Sequence, residues 1–157
     1  MSSSVLSLYR RITRWPAGHW LFSRLICLKA PYFATIAPRF VMLEPGRCEV
    51  RIRDRHRVHN HLGTVHAIAL CNLAELAAGV MTDATIPADM RWIPKGMSVE
   101  YLKKAVGTMR GVATPEAGVP SAGDGREWPV GVEVMDDTGE TVFRARVLMW
   151  VSSRKRG

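Results

Sequence analysis

Between His66 and Asp83 the chain carries a single charged side chain, Glu75, within its longest apolar run, Val65 to Met81. A helix that is apolar nearly all round must be covered on several sides, and a lone carboxylate among Leu73, Ala74, Leu76, Ala77 and Ala78 needs a reason to be there. Upstream lies a polar turn, Asn60-His61-Leu62-Gly63-Thr64, with the residue types of a helix entry. Thr64 is the expected N-cap, which leaves the amides around His66 and Ala67 without intrahelical partners at the positive end of the helix dipole. Such an end can hold a developing oxyanion, and Ala67 is small enough to admit a carbonyl oxygen.

The order of elements around this segment reads as α+β. Val5, Leu8, Tyr9 and Ile12 recur at helical spacing until Pro16, with Arg10, Arg11 and Arg14 opposite. A second helix is expected over Pro16 to Leu28, with Trp20, Leu21, Leu25, Ile26 and Leu28 as its contacts and Pro31 as its end. These helices are expected to pack on the domain, with a basic helix lying on a membrane as the alternative. The period then changes to two. Phe40 to Leu43, a Glu44-Pro45-Gly46 turn and Cys48 to Val58 read as a hairpin, with Arg51, Arg53, Arg55 and Arg57 on one face. After the long helix, Pro87 to Lys95 reads as a connection, followed by a strand over Met97 to Ala105 and another over Thr108 to Ala113. Pro115 to Gly125 is a loop, and two strands follow around an Asp136–Gly139 turn. One curved antiparallel sheet wrapped about the long helix would bury most of it, and a second subunit would cover the rest.

The chain of 157 residues, 47% hydrophobic, suffices for one domain. We expect a helical extension over 1–35, the main domain over 36–152 and a basic tail over 153–157. Cys27, Cys48 and Cys71 are odd in number and form no CxxC pair, so a reducing cytoplasm is the expected location. Arg24, Lys29 and Pro31 interrupt the most lipid-like stretch, Trp20 to Ala37, and no spanning helix is expected. The net charge of +8 suits nucleic acid, anionic lipid or a nucleotide-bearing ligand. No nucleic-acid recognition motif accompanies it. His56, His59, His61 and His66 lack a metal-ligand spacing, so no metal is expected.

Nine residues separate His66 from Glu75, which on an ideal helix places them on opposite sides and roughly 13 Å apart. If both serve one site, two copies of the helix must lie side by side.

The pattern N-x5-H-A-x7-E, Asn60 through His66 and Ala67 to Glu75, resembles the signature of hotdog-fold acyl-CoA thioesterases of the phenylacetic-acid-degradation type. It is most similar to a branch with the motif N-H-x-G-T-x-H-A, here Asn60, His61, Gly63, Thr64, His66 and Ala67. The resemblance spans about residues 38 to 151 and implies a homodimer or dimer of dimers. Glu75 would be nucleophile or general base, Asn60 would position water or thioester, the Ala67 amide would bind the carbonyl oxygen, and His66 would polarise the substrate. Gly63, Thr64 and Ile68 would border the substrate, Ile68 standing where the relatives carry a smaller residue. Lys103, Lys104 or the Arg51–Arg57 stripe would meet the phosphates of coenzyme A, which enters as part of the substrate with no further cofactor. The rival expectations are a non-catalytic hotdog protein binding an acyl chain or acyl-CoA, and a basic peripheral membrane protein.

Overall fold

The computed structural model describes residues 4–120 and 125–154. The middle of the expected 115–125 loop and the end of the expected basic tail lie outside them. Helices α1 (Ser4–Ile12) and α2 (Gly18–Lys29) lead through a 3-10 turn at Pro31–Ile36 into the hairpin β1 (Arg39–Glu44) and β2 (Arg47–Ile52). The long helix α3 (Ala67–Thr85) follows. The strands β3 (Met90–Tyr101), β4 (Met109–Pro115), β5 (Arg126–Met135) and β6 (Thr141–Ser153) complete one antiparallel sheet in the order β1-β2-β4-β5-β6-β3.

Helix α3 lies against this sheet, and Leu73, Ala74, Ala77, Ala78 and Met81 are wholly buried with Val50, Met109, Val130, Val134 and Phe143 from the strands. The helix is long and apolar enough to cross a membrane, but two-thirds of that apolar window is buried within the protein. Its far end is tied to the sheet where Gly46 N donates to Thr85 Oγ1 at 2.8 Å, joining the β1–β2 turn to the last helical turn.

The N-terminal helices seal the β1 edge. Phe22 stacks edge-on against Phe40 at 5.1 Å, Phe40 N donates to Ser23 Oγ at 2.9 Å, and the Tyr9 hydroxyl donates to Val41 O at 3.3 Å. The buried face of α2 is Gly18, Phe22, Ser23, Ile26 and Cys27, which corrects the expected contact set. Trp20, Leu21 and Leu28 point outward, because the i, i+4 stripe through Phe22 and Ile26 fits the edge of β1.

Two strand boundaries also differ from the sequence expectation. Strand β2 ends at Ile52, opposite Met109, the first residue of β4, so residues beyond it have no ladder partner. The expected four-arginine stripe therefore loses its regular geometry after Arg51. Strand β3 begins at Met90 and runs through Pro94, ending at Tyr101. It lies at the free edge of the sheet, where a proline is tolerated, and a bulge between Pro94 and Gly96 absorbs the ring.

Asp54 fastens the connection after β2. One carboxylate oxygen accepts from Gly107 N at 2.9 Å and the other meets His59 Nε2. The His59 hydrogen bond, aided by the Gly107 amide and opposed by desolvation, holds the Asp54 carboxyl below the usual carboxylate range. A depressed folded pKa contributes stability above the unfolded value of about 3.9 that disappears as pH falls through the folded one. Asp54→Asn is therefore expected to lower the Tm at pH 7, with the gap to wild type closing as the pH falls through the depressed folded pKa. Thermal melts of both proteins across this range check the sign, and a gap that widened in acid would contradict it.

Candidate active site

The entry to α3 is a small hairpin. His59 and Val65 form an antiparallel bridge, Asn60 N donates to Thr64 O at 2.9 Å, and Gly63 N donates to Asn60 O at 3.1 Å. Gly63 has φ +74°, the left-handed region that a side chain would strain. The Asn60 side chain is spent inside this turn: Oδ1 accepts from Leu62 N at 2.9 Å and Thr64 N at 3.2 Å, and Nδ2 donates to Thr64 Oγ1 at 2.9 Å. Val65 N then donates to Ala105 O and His66 N to Val58 O, both at 2.8 Å, which anchors the chain on buried Val58 and Val65 as the helix begins.

Histidine, not threonine, caps the helix. His66 Nδ1 accepts from Ile68 N at 3.0 Å, while Thr64 Oγ1 is engaged with Asn60. An accepting Nδ1 fixes the neutral tautomer with its proton on Nε2, so the exposed ring presents a donor to solvent. Among the described residues the Ala67 amide has no hydrogen-bond acceptor, and it lies beside that donor at the dipole's positive end.

Along the mostly buried helix, Ile68, Cys71 and Glu75 form one accessible stripe at i, i+3 and i+7. His66 stands just outside the first helical turn as its cap, and both it and Glu75 are exposed. Their separation along the axis remains: seven residues from Ile68 to Glu75 rise about 10 Å, beyond the reach of a glutamate side chain.

The free strand β3 borders this stripe. The Tyr101 hydroxyl lies 3.2 Å from Cys71 Sγ, a contact that the sequence reading missed although the i+3 spacing puts Cys71 beside Ile68. That hydrogen bond, with burial and the Cys71 charge behind it, leaves the tyrosine pKa pushed up to about 12 and the hydroxyl neutral. Further along, Trp92 packs over Gly79, where an added Cβ would stand 2.8 Å from the ring, and its indole donates to Asp83 at 3.3 Å. Ile68, Ile93, Met97 and Tyr101 leave much of their apolar surface open on the helix and this strand.

The expected phosphate-binding residues divide. Lys103 is paired with Glu140, and Lys104 is exposed beside it. Arg51, Arg53 and Arg55 line a groove next to α2 that does not include Arg57 or any residue of α3. A larger hollow of 820 Å³ lies over the sheet among Arg47, Arg110, Arg144 and Arg146. Its arginines are matched by Glu49, Glu133 and Glu116, so it reads as an ion-paired sheet surface. Among the described residues no three histidine, cysteine or carboxylate side chains gather as a metal site.

Comparison with known proteins follows the same lines. The family DUF4442, a domain of unknown function, matches residues 18–151. A structural-genomics crystal structure is 49% identical over 96% of this chain and 97% of that one, with a TM-score of 0.80. A Pseudomonas aeruginosa protein of unknown function, described as a probable thioesterase, is 25% identical over 89% of this chain and 97% of its own, with a TM-score of 0.74. A Haemophilus influenzae thioesterase shares the fold at 13% identity, covering 80% of this chain and 85% of its own, with a TM-score of 0.68. A comparison with curated proteins finds no match. With its single sheet laid around α3 and its match across almost the whole chain, this protein belongs to the DUF4442 family, within the hotdog-fold thioesterase superfamily.

Proposed function

We propose that the protein hydrolyses acyl-CoA or a related thioester at a site completed by a second copy of the chain. The observation that carries this reading is Glu75: it is exposed on a helix whose flanking residues Ala74 and Leu76 are buried, beside an unpaired sheet edge. A carboxylate held open on a core helix is available to a partner. Two chains related by a two-fold axis could join their β3 edges, covering Ile93, Met97 and Tyr101 and bringing Glu75 of each towards the α3 entry of the other.

The chemistry then divides between the subunits. Glu75 acts as general base, taking a proton from water whose oxygen attacks the thioester carbonyl carbon, or attacks that carbon itself to form an anhydride that water later opens. The carbonyl electrons move onto oxygen, where the Ala67 amide and the His66 Nε2 proton receive them. Collapse expels the coenzyme A thiolate, a leaving group that needs little acid assistance. Asn60 and Thr64 act through the turn they lock, Gly63 supplies its reversal, and Ile68 forms the wall beside the oxyanion position. The structural relative described as a probable thioesterase supports this class of reaction.

Glu75→Gln is expected to reduce kcat on acyl-CoA about 10²- to 10⁴-fold with the oligomer intact. Thiol release from an acyl-CoA panel, followed with a thiol-reactive dye, measures it. Binding without release by the wild-type protein across the whole panel would instead identify a non-catalytic acyl-CoA binder. Met97→Glu would place two carboxylates at a symmetric β3 seam, where like charges cost several kcal/mol, and is expected to yield monomers that release no thiol. Sedimentation velocity and activity should fall together. A monomeric variant retaining full activity would remove the partner from the mechanism.

A further inference from the structure

Six basic residues and no acidic one precede Glu44, so the N-terminal layer carries most of the chain's net positive charge. The same layer has the two most exposed large apolar side chains among the described residues, Leu28 at 78% and Trp15 at 73%, with Trp20 at 52% and Leu21 at 44%. Trp15, Trp20 and Leu21 line one apolar hollow of 430 Å³ with Arg11 at its rim. Trp20, Arg24 and Leu28 continue as an i, i+4 stripe along α2, with the Arg24 guanidinium 5.6 Å from the Trp20 ring centre. Trp20 also forms one wall of a second hollow, a 650 Å³ groove between α2 and the sheet that contains Arg24, Arg39, Arg51, Arg53 and Arg55.

The charges in this groove are largely unanswered. Among the described residues Arg39, Arg51 and Arg53 have no carboxylate partner, and Arg39 lies directly opposite Arg51 in the β1–β2 register. Like charges facing each other across a ladder are destabilising unless something anionic lies between them. Asp137, the one carboxylate lining the groove among the described residues, is held by Thr108 N at 2.8 Å.

We propose that this N-terminal face docks on an anionic phospholipid surface, with lipid phosphates in the arginine groove and Trp15, Trp20, Leu21 and Leu28 in the headgroup–acyl boundary. Exposed tryptophan and leucine flanked by arginines is the side-chain set that suits an interface with hydrocarbon beneath and negative charge above. A second copy is a poor occupant, because a symmetric pairing would set these cations against themselves. A nucleic-acid backbone would answer the charge but leave the leucines in water. The face lies at the β1 edge, the opposite side of the sheet from β3, so an assembly through β3 leaves it open.

Truncation cannot test this, since Leu6, Tyr9 and Phe22 belong to the core. Full-length protein is instead sedimented with phosphatidylcholine vesicles with and without roughly a third phosphatidylglycerol. Binding is expected only with the anionic lipid, accompanied by a blue shift in tryptophan emission. Trp15→Ala/Trp20→Ala should abolish the shift and weaken binding. Arg24→Gln/Arg39→Gln/Arg51→Gln should weaken it about fivefold for each charge removed. Arg144→Gln/Arg146→Gln, on the ion-paired sheet surface, should change little. Circular dichroism confirms that each variant is folded. The proposal is overturned if anionic vesicles fail to bind at low salt, or if the sheet-surface variant loses as much binding as the groove variant. It is equally overturned if the tryptophan variant changes only the oligomeric state, or if a single-stranded oligonucleotide binds while vesicles do not.

Discussion

The burial of α3 is the constraint on which the rest depends. A helix with alanine, leucine and methionine on almost every side cannot face water, and six strands supply cover for most of its circumference. The residual opening, Ile68–Cys71–Glu75, is narrow, and its position follows from where the sheet stops. On one side α1 and the 3-10 turn reach the helix, with Asn72 donating to Thr35 at 3.2 Å; on the other, β3 ends the sheet and leaves the stripe open. The candidate catalytic carboxylate is thus a by-product of sheet geometry as much as of local sequence.

What could be read beforehand follows the same physics. The helix and the β5–β6 hairpin were visible because burial on one face imposes a period: Val130, Val132 and Val134, then Phe143, Ala145, Val147, Met149 and Val151. The motif from Asn60 to Glu75 falls on the entry and exposed stripe of the central helix. Failures came where tertiary partners decide. Thr64 has the composition of a cap, yet Asn60 claims its hydroxyl and His66 takes over the role. Trp20, Leu21 and Leu28 have the composition of a core, yet Phe22 and Ile26 occupy the space beside β1. Pro94 looks like a strand breaker, but an edge strand has no second neighbour to which it owes a hydrogen bond. The pairing of Cys71 with Tyr101 joins residues thirty positions apart, and local spacing alone does not predict such a contact.

Two demands on the helix entry meet in His66. The ring must satisfy a helix amide through Nδ1, and doing so leaves its remaining proton on Nε2, facing outward. In the proposed mechanism, capping and substrate polarisation would use opposite ends of one imidazole. The Asn60–Thr64 lock and the Asp54 clamp on Gly107 hold the chain around this helix entry.

Ser23 and Tyr9 also determine what the sheet can become. Their side chains occupy the outward-facing hydrogen-bond positions of Phe40 and Val41, so β1 offers no template to another strand. Among the described strands only β3 remains open. In assembly terms the sheet has a valence of one: it can be extended by a single neighbour, and a neighbour of the same kind uses up its own open edge in the act. A hydroxyl on α2, far from the α3 entry, thereby limits how many copies can share one sheet and guards against open-ended fibre growth.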